Sequence, residues 1–214
     1  MQPKLQIALD VWSLEEAFAI LADVAEYVDI IEAGTPLVVN QGISSLKAIK
    51  DKYPNKEFTI DAKITDEFYI AQKAFDAGAD YTTVLGILSD EAVSSAINEG
   101  KKAGKEVMVD LMNVRDKLQR AQQVKEMGAH YVIVHYGLDE QRLGKTPLED
   151  LKTIKQNTDI KIAVAGGINL DTLPDYLREY PDIIIVGKAL VENPNRKHAA
   201  EQMRSLIEED TSLH

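Results

Sequence analysis

Asp61, Lys63 and Asp66 fall within six residues, in Phe58-Thr59-Ile60-Asp61-Ala62-Lys63-Ile64-Thr65-Asp66. An ammonium between two carboxylates can stabilise a developing oxyanion or move a proton. The plainer alternative is a structural ion pair, with Asp66 serving only as a helix N-cap. Phe58, Ile60, Ala62 and Ile64 alternate with Thr59, Asp61, Lys63 and Thr65. That period of two predicts a strand with Asp61 and Lys63 side by side on one face. Asp66 follows where the chain would leave the sheet.

Other reactive side chains stand at the ends of apolar runs. Asp10 ends Leu5 to Leu9, Glu32 ends Val28 to Ile31, Asp110 ends Glu106 to Val109, and His135 ends Tyr131 to Val134. Glu32 and Asp61 offer hard oxygen ligands, which suit Mg²⁺ with water and substrate oxygens. One of them could instead merely pair with Lys63. His135 titrates near neutral pH and could shuttle a proton, or could be a core histidine held by the backbone. Two further runs end in Gly166-Gly167 and in Gly187-Lys188. Glycines there let backbone N–H groups approach a phosphate, and Lys188 adds a cation.

The elements that position these residues alternate. Strands are predicted at Leu5–Leu9, Val28–Ile31, Phe58–Asp61, Tyr81–Leu85, Glu106–Val109, Tyr131–Val134, Ile160–Val164 and Ile183–Val186. A helix follows each strand. The first is capped by Ser13, with Glu16 completing a capping box. The second runs through Ile49, and later ones cover Phe68–Ala77, Asp90–Ala103, Leu118–Met127, Leu148–Lys155, Leu170–Leu177 and Lys197–Ile207. Gly78, Gly104 and Gly128 are stop signals. The tail from Glu208 to His214 is expected to fray. Strict βα alternation predicts a parallel sheet covered by helices, and eight units predict a single (β/α)₈ barrel, an α/β TIM barrel, over residues 1–214. Barrel active sites sit at the C-terminal strand ends, where Asp10, Glu32, Asp61, Lys63, Asp110 and His135 fall. The last two loops, with their glycines, are a frequent phosphate site.

Composition narrows the classes. The chain has 24 Lys and Arg against 35 Asp and Glu, a formal charge of -11, and no basic stripe that would point to nucleic acid. It has no cysteine, hence no disulfide, thiolate metal site or Cys nucleophile. No signal-peptide h-region opens it and no apolar run reaches membrane-spanning length, so the expectation is a cytoplasmic protein without a membrane partner.

The Asp-x-Lys-x-x-Asp pattern of Asp61, Lys63 and Asp66 resembles the mark of the orotidine 5′-monophosphate decarboxylase superfamily. Leu5-Gln6-Ile7-Ala8-Leu9-Asp10, Ile30-Ile31-Glu32-Ala33-Gly34-Thr35-Pro36, Thr83-Val84-Leu85-Gly86, Val109-Asp110-Leu111 and Ala163-Val164-Ala165-Gly166-Gly167-Ile168 extend the likeness from Leu5 to Ile207. Within that superfamily the chain is most similar to 3-hexulose-6-phosphate synthases, with 3-keto-L-gulonate-6-phosphate decarboxylases as near relatives. The resemblance implies a Mg²⁺-dependent lyase that forms the 1,2-enediolate of a pentulose 5-phosphate. A synthase adds it to formaldehyde; a decarboxylase reaches it by losing CO₂. Asp110 and the run His135-Tyr136-Gly137-Leu138-Asp139 follow the synthase pattern, where a decarboxylase would carry Glu and, at Leu138, Arg. Lys188 is closer to the decarboxylase's Arg. The resemblance also implies a homodimer, with Asp66 reaching the partner's pocket. Glu67-Phe68 departs from the small residues usual after that Asp. A sugar-phosphate-binding barrel without turnover is the remaining alternative.

Overall fold

The computed structural model describes residues 2–66 and 68–211, and of residues 210 and 211 the backbone alone. Eight strands pair in parallel, in chain order: β1 (Lys4–Leu9), β2 (Ile30–Ala33), β3 (Glu57–Ile64), β4 (Tyr81–Leu85), β5 (Glu106–Asp110), β6 (Tyr131–His135), β7 (Lys161–Ala165) and β8 (Ile183–Val186). β8 returns to β1, with Gln6 opposite Ile185, and closes the (β/α)₈ barrel that the alternation predicts.

Parallel strands are buried on both faces, and β1 shows how its sequence meets that demand. Leu5, Ile7 and Leu9 pack outward in one cluster with Ala17, Leu21 and Val24 of α1 (Leu14–Val24). Ala8 faces the axis, in a second cluster with Ile30, Met108, Ile133, Ala163 and Ile185. The axis is therefore a packed core and not a pore. At the N-terminal mouth the polar groups satisfy one another. Lys4 Nζ lies 2.6 Å from Glu57 Oε1, and the Tyr81 hydroxyl donates to Glu57 Oε2 at 2.9 Å.

The outer layer comprises α1, α2 (Thr35–Gln41), α3 (Lys47–Lys52), α4 (Ile70–Asp76), α5 (Asp90–Ala103), α6 (Lys117–Glu126), α7 (Leu138–Arg142), α8 (Leu148–Asn157), α9 (Leu173–Leu177), α10 (Lys188–Val191) and α11 (Arg196–Thr211). Several boundaries differ from the sequence expectation. The predicted second helix breaks at Gly42, φ 73°, into α2, a 3₁₀ turn at Ile43–Leu46 and α3. Ser13 does cap α1, but the Glu16 carboxylate reaches back to the Trp12 N–H, so the capping box is not reciprocal. Phe68 and Tyr69 form a turn ahead of α4. The short helices α7 and α10 were not anticipated, because five and four residues carry too little periodicity to read. Helix α11 continues to Thr211, past the predicted start of fraying at Glu208; residues 212–214 lie outside the described residues. Among the described residues no helix is long and apolar enough to cross a membrane.

Candidate active site

β3 is not a regular strand where its chemistry begins. Ile60 pairs with Thr82 and Ile64 with Val84, so four steps along β3 oppose two along β4. The intervening Asp61-Ala62-Lys63 forms a bulge, and Lys63 adopts φ 42°. A non-glycine residue on that side of the map costs about 1–3 kcal/mol, and bulges of this kind gather next to active sites. The unbroken period of two expected from the sequence fails here. Its consequence holds by another route, since Lys63 Nζ still lies 2.7 Å from Asp61 Oδ2.

The second carboxylate at Lys63 is Asp110, at the end of β5, with Oδ2 3.4 Å from Nζ. The sequence had offered Asp66 as that second anion. Asp66 instead stands exposed in the loop after β3. Asp110 is buried, accepts from the Met112 N–H through Oδ1, and holds His135 Nδ1 at 2.9 Å through Oδ2. Asp61, Lys63, Asp110 and His135 thus form one connected chain across β3, β5 and β6.

The electrostatics follow from that chain. Burial pulls the Lys63 pKa down, but the charges of Asp61 and Asp110 outweigh it and hold the ammonium more firmly protonated than a free lysine. Burial opposes ionisation of Asp110 as well; the His135 charge, its hydrogen bond and Lys63 reverse the balance and lower the carboxyl's pKa. For His135 burial favours the neutral ring, and Asp110 reverses that too, raising its pKa. Glu32 behaves oppositely. Burial, then the charges of Asp61 and Asp10, push its carboxyl well above the carboxylate range, with only Gln6 and Lys63 opposing. Asp10 opens to solvent at the mouth, yet its protein surroundings and Asp61 raise its pKa too.

Asp10, Glu32 and Asp61 are therefore an excess of negative charge beside one lysine. Glu32 and Asp61 come from adjacent strands and are the residues that would hold a Mg²⁺ ion; hard carboxylate oxygens and under-compensated charge fit such an ion. Among the described residues no three His, Cys, Asp or Glu side chains are grouped as a full metal cage. Mg²⁺ commonly binds through one or two carboxylates and keeps several waters, so two carboxylates would suffice for it.

The glycines divide. Gly166 and Gly167 have φ of 121° and 72°, and a Cβ at Gly166 would stand 2.6 Å from the Tyr136 carbonyl oxygen. Only glycine allows that close approach of the β6 and β7 loops. Gln141 ties the same oxygen, donating from Nε2 at 2.7 Å. Room for Asp10 is made by Gly34, where a Cβ would stand 2.3 Å from Asp10 Oδ1, whereas a Cβ at Gly187 would meet Asp10 Oδ2 at an ordinary 3.4 Å. Lys188 is exposed and its Nζ lies 3.4 Å from Glu192 Oε2, so its ammonium turns to α10's own surface.

Sequence reasoning missed the hydroxyls. Thr35 Oγ1 donates to Asp61 Oδ2 at 2.7 Å, and Thr83 Oγ1 donates to Asp61 Oδ1 at 2.7 Å. The available signal was a polar residue at an axis-facing position of β4, two residues after Tyr81. Gln6 was also missed; its Nε2 donates to Glu32 Oε2 at 2.6 Å. Glu67 lies outside the described residues, while Phe68 is 46% exposed.

Comparison with known proteins agrees with this fold. Residues 3–203 match the "Orotidine 5'-phosphate decarboxylase / HUMPS family". A 3-hexulose-6-phosphate synthase of Bacillus subtilis (strain 168) is 40% identical over 206 residues, covering 95% of this chain and 98% of the relative. The crystal structure of 3-hexulose-6-phosphate synthase from Salmonella typhimurium superposes with a TM-score of 0.94 at 42% identity, over 97% of this chain and 99% of that one. That of 3-keto-L-gulonate-6-phosphate decarboxylase from Vibrio cholerae gives a TM-score of 0.85 at 27% identity, over 98% and 99%. The barrel and these likenesses agree: the protein belongs to the orotidine 5'-phosphate decarboxylase / HUMPS family.

Proposed function

We propose that this chain, a carbon–carbon lyase by family, is a 3-hexulose-6-phosphate synthase that condenses ribulose 5-phosphate with formaldehyde through a 1,2-enediolate. The observation that carries the chemistry is Lys63 held between Asp61 and Asp110. A Schiff-base aldolase needs a neutral amine, and two carboxylates oppose that. A permanently charged lysine suits stabilisation of an oxyanion that appears only as the enediolate forms.

In this reading His135 takes the C1 proton of ribulose 5-phosphate through Nε2, because Nδ1 is committed to Asp110. Asp110 keeps the imidazole in that orientation and stabilises it once protonated. The enediolate carbon then adds to formaldehyde, and the new alkoxide collects a proton. The Gly166-Gly167 backbone anchors the 5-phosphate, and Asp10 faces the sugar hydroxyls. Mg²⁺ on Glu32 and Asp61 would supply Lewis-acid stabilisation of the negative charge on substrate oxygens.

The synthase is favoured over the 3-keto-L-gulonate-6-phosphate decarboxylase by the higher identity to synthases and by Leu138, which is apolar and exposed at the position where the decarboxylase pattern places Arg. The test is parallel measurement of formaldehyde consumption with ribulose 5-phosphate and of CO₂ release from 3-keto-L-gulonate 6-phosphate. Release of CO₂ without formaldehyde uptake reverses the assignment. Absence of both, with no C1 exchange in deuterated water, leaves a binding protein.

The homodimer belongs to the same proposal. Trp12, Val39, Phe68, Tyr69 and Ile87 are exposed on or beside the loops and helices that follow β1 to β4. An apolar set of that kind supports a second copy of the chain seated there, and in that reading Asp66 would lie at the junction.

A further inference from the structure

The bulge in β3 removes Lys63 from the ladder. Its backbone N–H then needs another acceptor, because a buried orphan donor is costly. The acceptor is the hydroxyl of Thr83, 2.9 Å from Lys63 N. A threonine hydroxyl carries one proton and can both accept and donate. Here the proton goes to Asp61 Oδ1 at 2.7 Å, a carboxylate that can only accept. One wholly buried hydroxyl therefore joins the two ends of the bulge: the carboxylate at its start and the backbone of the lysine at its end. Asp61 Oδ2, freed to face the other way, meets Lys63 Nζ.

We propose that Thr83 is a positioning residue for the reaction: its hydroxyl substitutes for the lost β3–β4 ladder bond, holds Lys63 on the left-handed side of the map and aims Asp61 at the lysine ammonium. Valine has nearly the same shape but no hydroxyl. In Thr83→Val the Lys63 N–H loses its acceptor and Asp61 Oδ1 loses a donor, so the backbone strained to a φ of 42° keeps only its side-chain ties, Thr35 to Asp61 Oδ2 and Lys63 Nζ to its two carboxylates. The pair Asp61–Lys63 then loses its alignment while the hydrophobic packing of β4 remains. The adjacent Thr82 is the internal control. It is equally buried, but its hydroxyl donates at 2.9 Å to the Ile60 carbonyl oxygen, before the bulge begins.

The inference rests on the synthase reading for its kinetic arm but not for its structural arm. Thr83→Val, Thr83→Ala, Thr83→Ser and Thr82→Val are compared with the wild-type chain in three measurements: formaldehyde-dependent turnover of ribulose 5-phosphate, melting temperature, and hydrogen exchange of the Lys63 amide. In Thr83→Val and Thr83→Ala kcat is expected to fall by about a hundredfold, the loss typical of a misplaced reacting group, with KM for ribulose 5-phosphate changed by less than about threefold. Thr83→Ser, which keeps the hydroxyl, returns most of the rate. Thr82→Val loses melting temperature and keeps its kcat. The Lys63 amide exchanges slowly in wild type and Thr83→Ser and fast in Thr83→Val and Thr83→Ala. Wild-type kcat in folded Thr83→Val or Thr83→Ala, or a Thr83→Ser variant as slow as they are, overturns the positioning role. If the wild-type chain lacks the synthase activity, that reading fails by itself. The exchange comparison still decides whether Thr83 holds the bulge, and a Lys63 amide equally protected in every variant overturns it.

Discussion

His135 Nδ1 and Asp110 Oδ2 lie 2.9 Å apart, and each group moves the other's titration in the direction that favours the ion pair. The sign of the pH dependence follows. The raised His135 contributes stability that is fully present below its unfolded value of 6.5 and is lost as pH rises through the folded pKa. The lowered Asp110 contributes stability present above its unfolded value of 3.8 and lost as pH falls through the folded pKa. The pair is therefore at full strength between those two unfolded values. His135→Asn should flatten the loss of stability on the alkaline side, read by urea unfolding at a series of pH values, and should slow C1 exchange far more than it weakens phosphate binding. An unchanged alkaline slope argues that the pair is not ionised.

Lys63→Ala should reduce turnover by about a hundredfold or more, the cost of one electrostatic group at a developing oxyanion. The same change leaves Asp61 buried without its cation and Asp110 with His135 as its remaining partner. A loss of stability of up to about 3 kcal/mol at neutral pH is expected with it. Unchanged thermal unfolding is inconsistent with this arrangement. Calorimetry and steady-state rates on one preparation check both halves.

Glu32→Gln separates the metal from the scaffold. Glu32 is charged at a cost, because burial and the neighbouring Asp61 and Asp10 raise its pKa. Without Mg²⁺ the glutamine variant should melt higher than wild type at neutral pH. Wild type should gain melting temperature on addition of Mg²⁺ and lose activity to chelator, while the variant shows no Mg²⁺ shift. A wild-type chain fully active in excess chelator removes the metal from the proposal.

Gly166→Ala would place a Cβ 2.6 Å from the Tyr136 carbonyl oxygen at a φ of 121°. Strain of this type costs about 1–3 kcal/mol, and it falls on the loop proposed to anchor the phosphate. KM for ribulose 5-phosphate should rise by roughly tenfold or more while KM for formaldehyde stays level, since only one substrate carries a phosphate. A parallel rise in both constants would indicate a general collapse of the mouth.

Asp66→Ala and Lys63→Ala proteins, each inactive alone, should recover part of the activity after subunit exchange, because one hybrid site then has both residues intact. Sedimentation of the wild-type chain as a monomer, or dead mixtures after verified exchange, removes the shared-site proposal.

The βα alternation, the stop glycines and the apolar runs determined the barrel, since period and breakers are local properties that a chain carries without its fold. Residues at the run ends were legible as reactive for the same reason: Asp10, Glu32, Asp110 and His135 each follow an apolar strand and meet at one mouth. Pairings were not legible. Asp110 is 47 residues from Lys63 in sequence and becomes its neighbour only when β5 closes beside β4. Asp66, three residues away, was the natural partner on paper, yet the loop carries it out of the barrel's own interior. The pairing of Lys188 with Glu192, four residues on, likewise appears only once the chain turns into a helix there. The β3 bulge is the clearest case. Nothing in Phe58 to Asp66 marks the two extra steps against β4, because a bulge is defined by its partner strand. Sequence determined which groups could react; closure of the sheet decided which of them touch, and so which lysine proton is held and which carboxylate holds it.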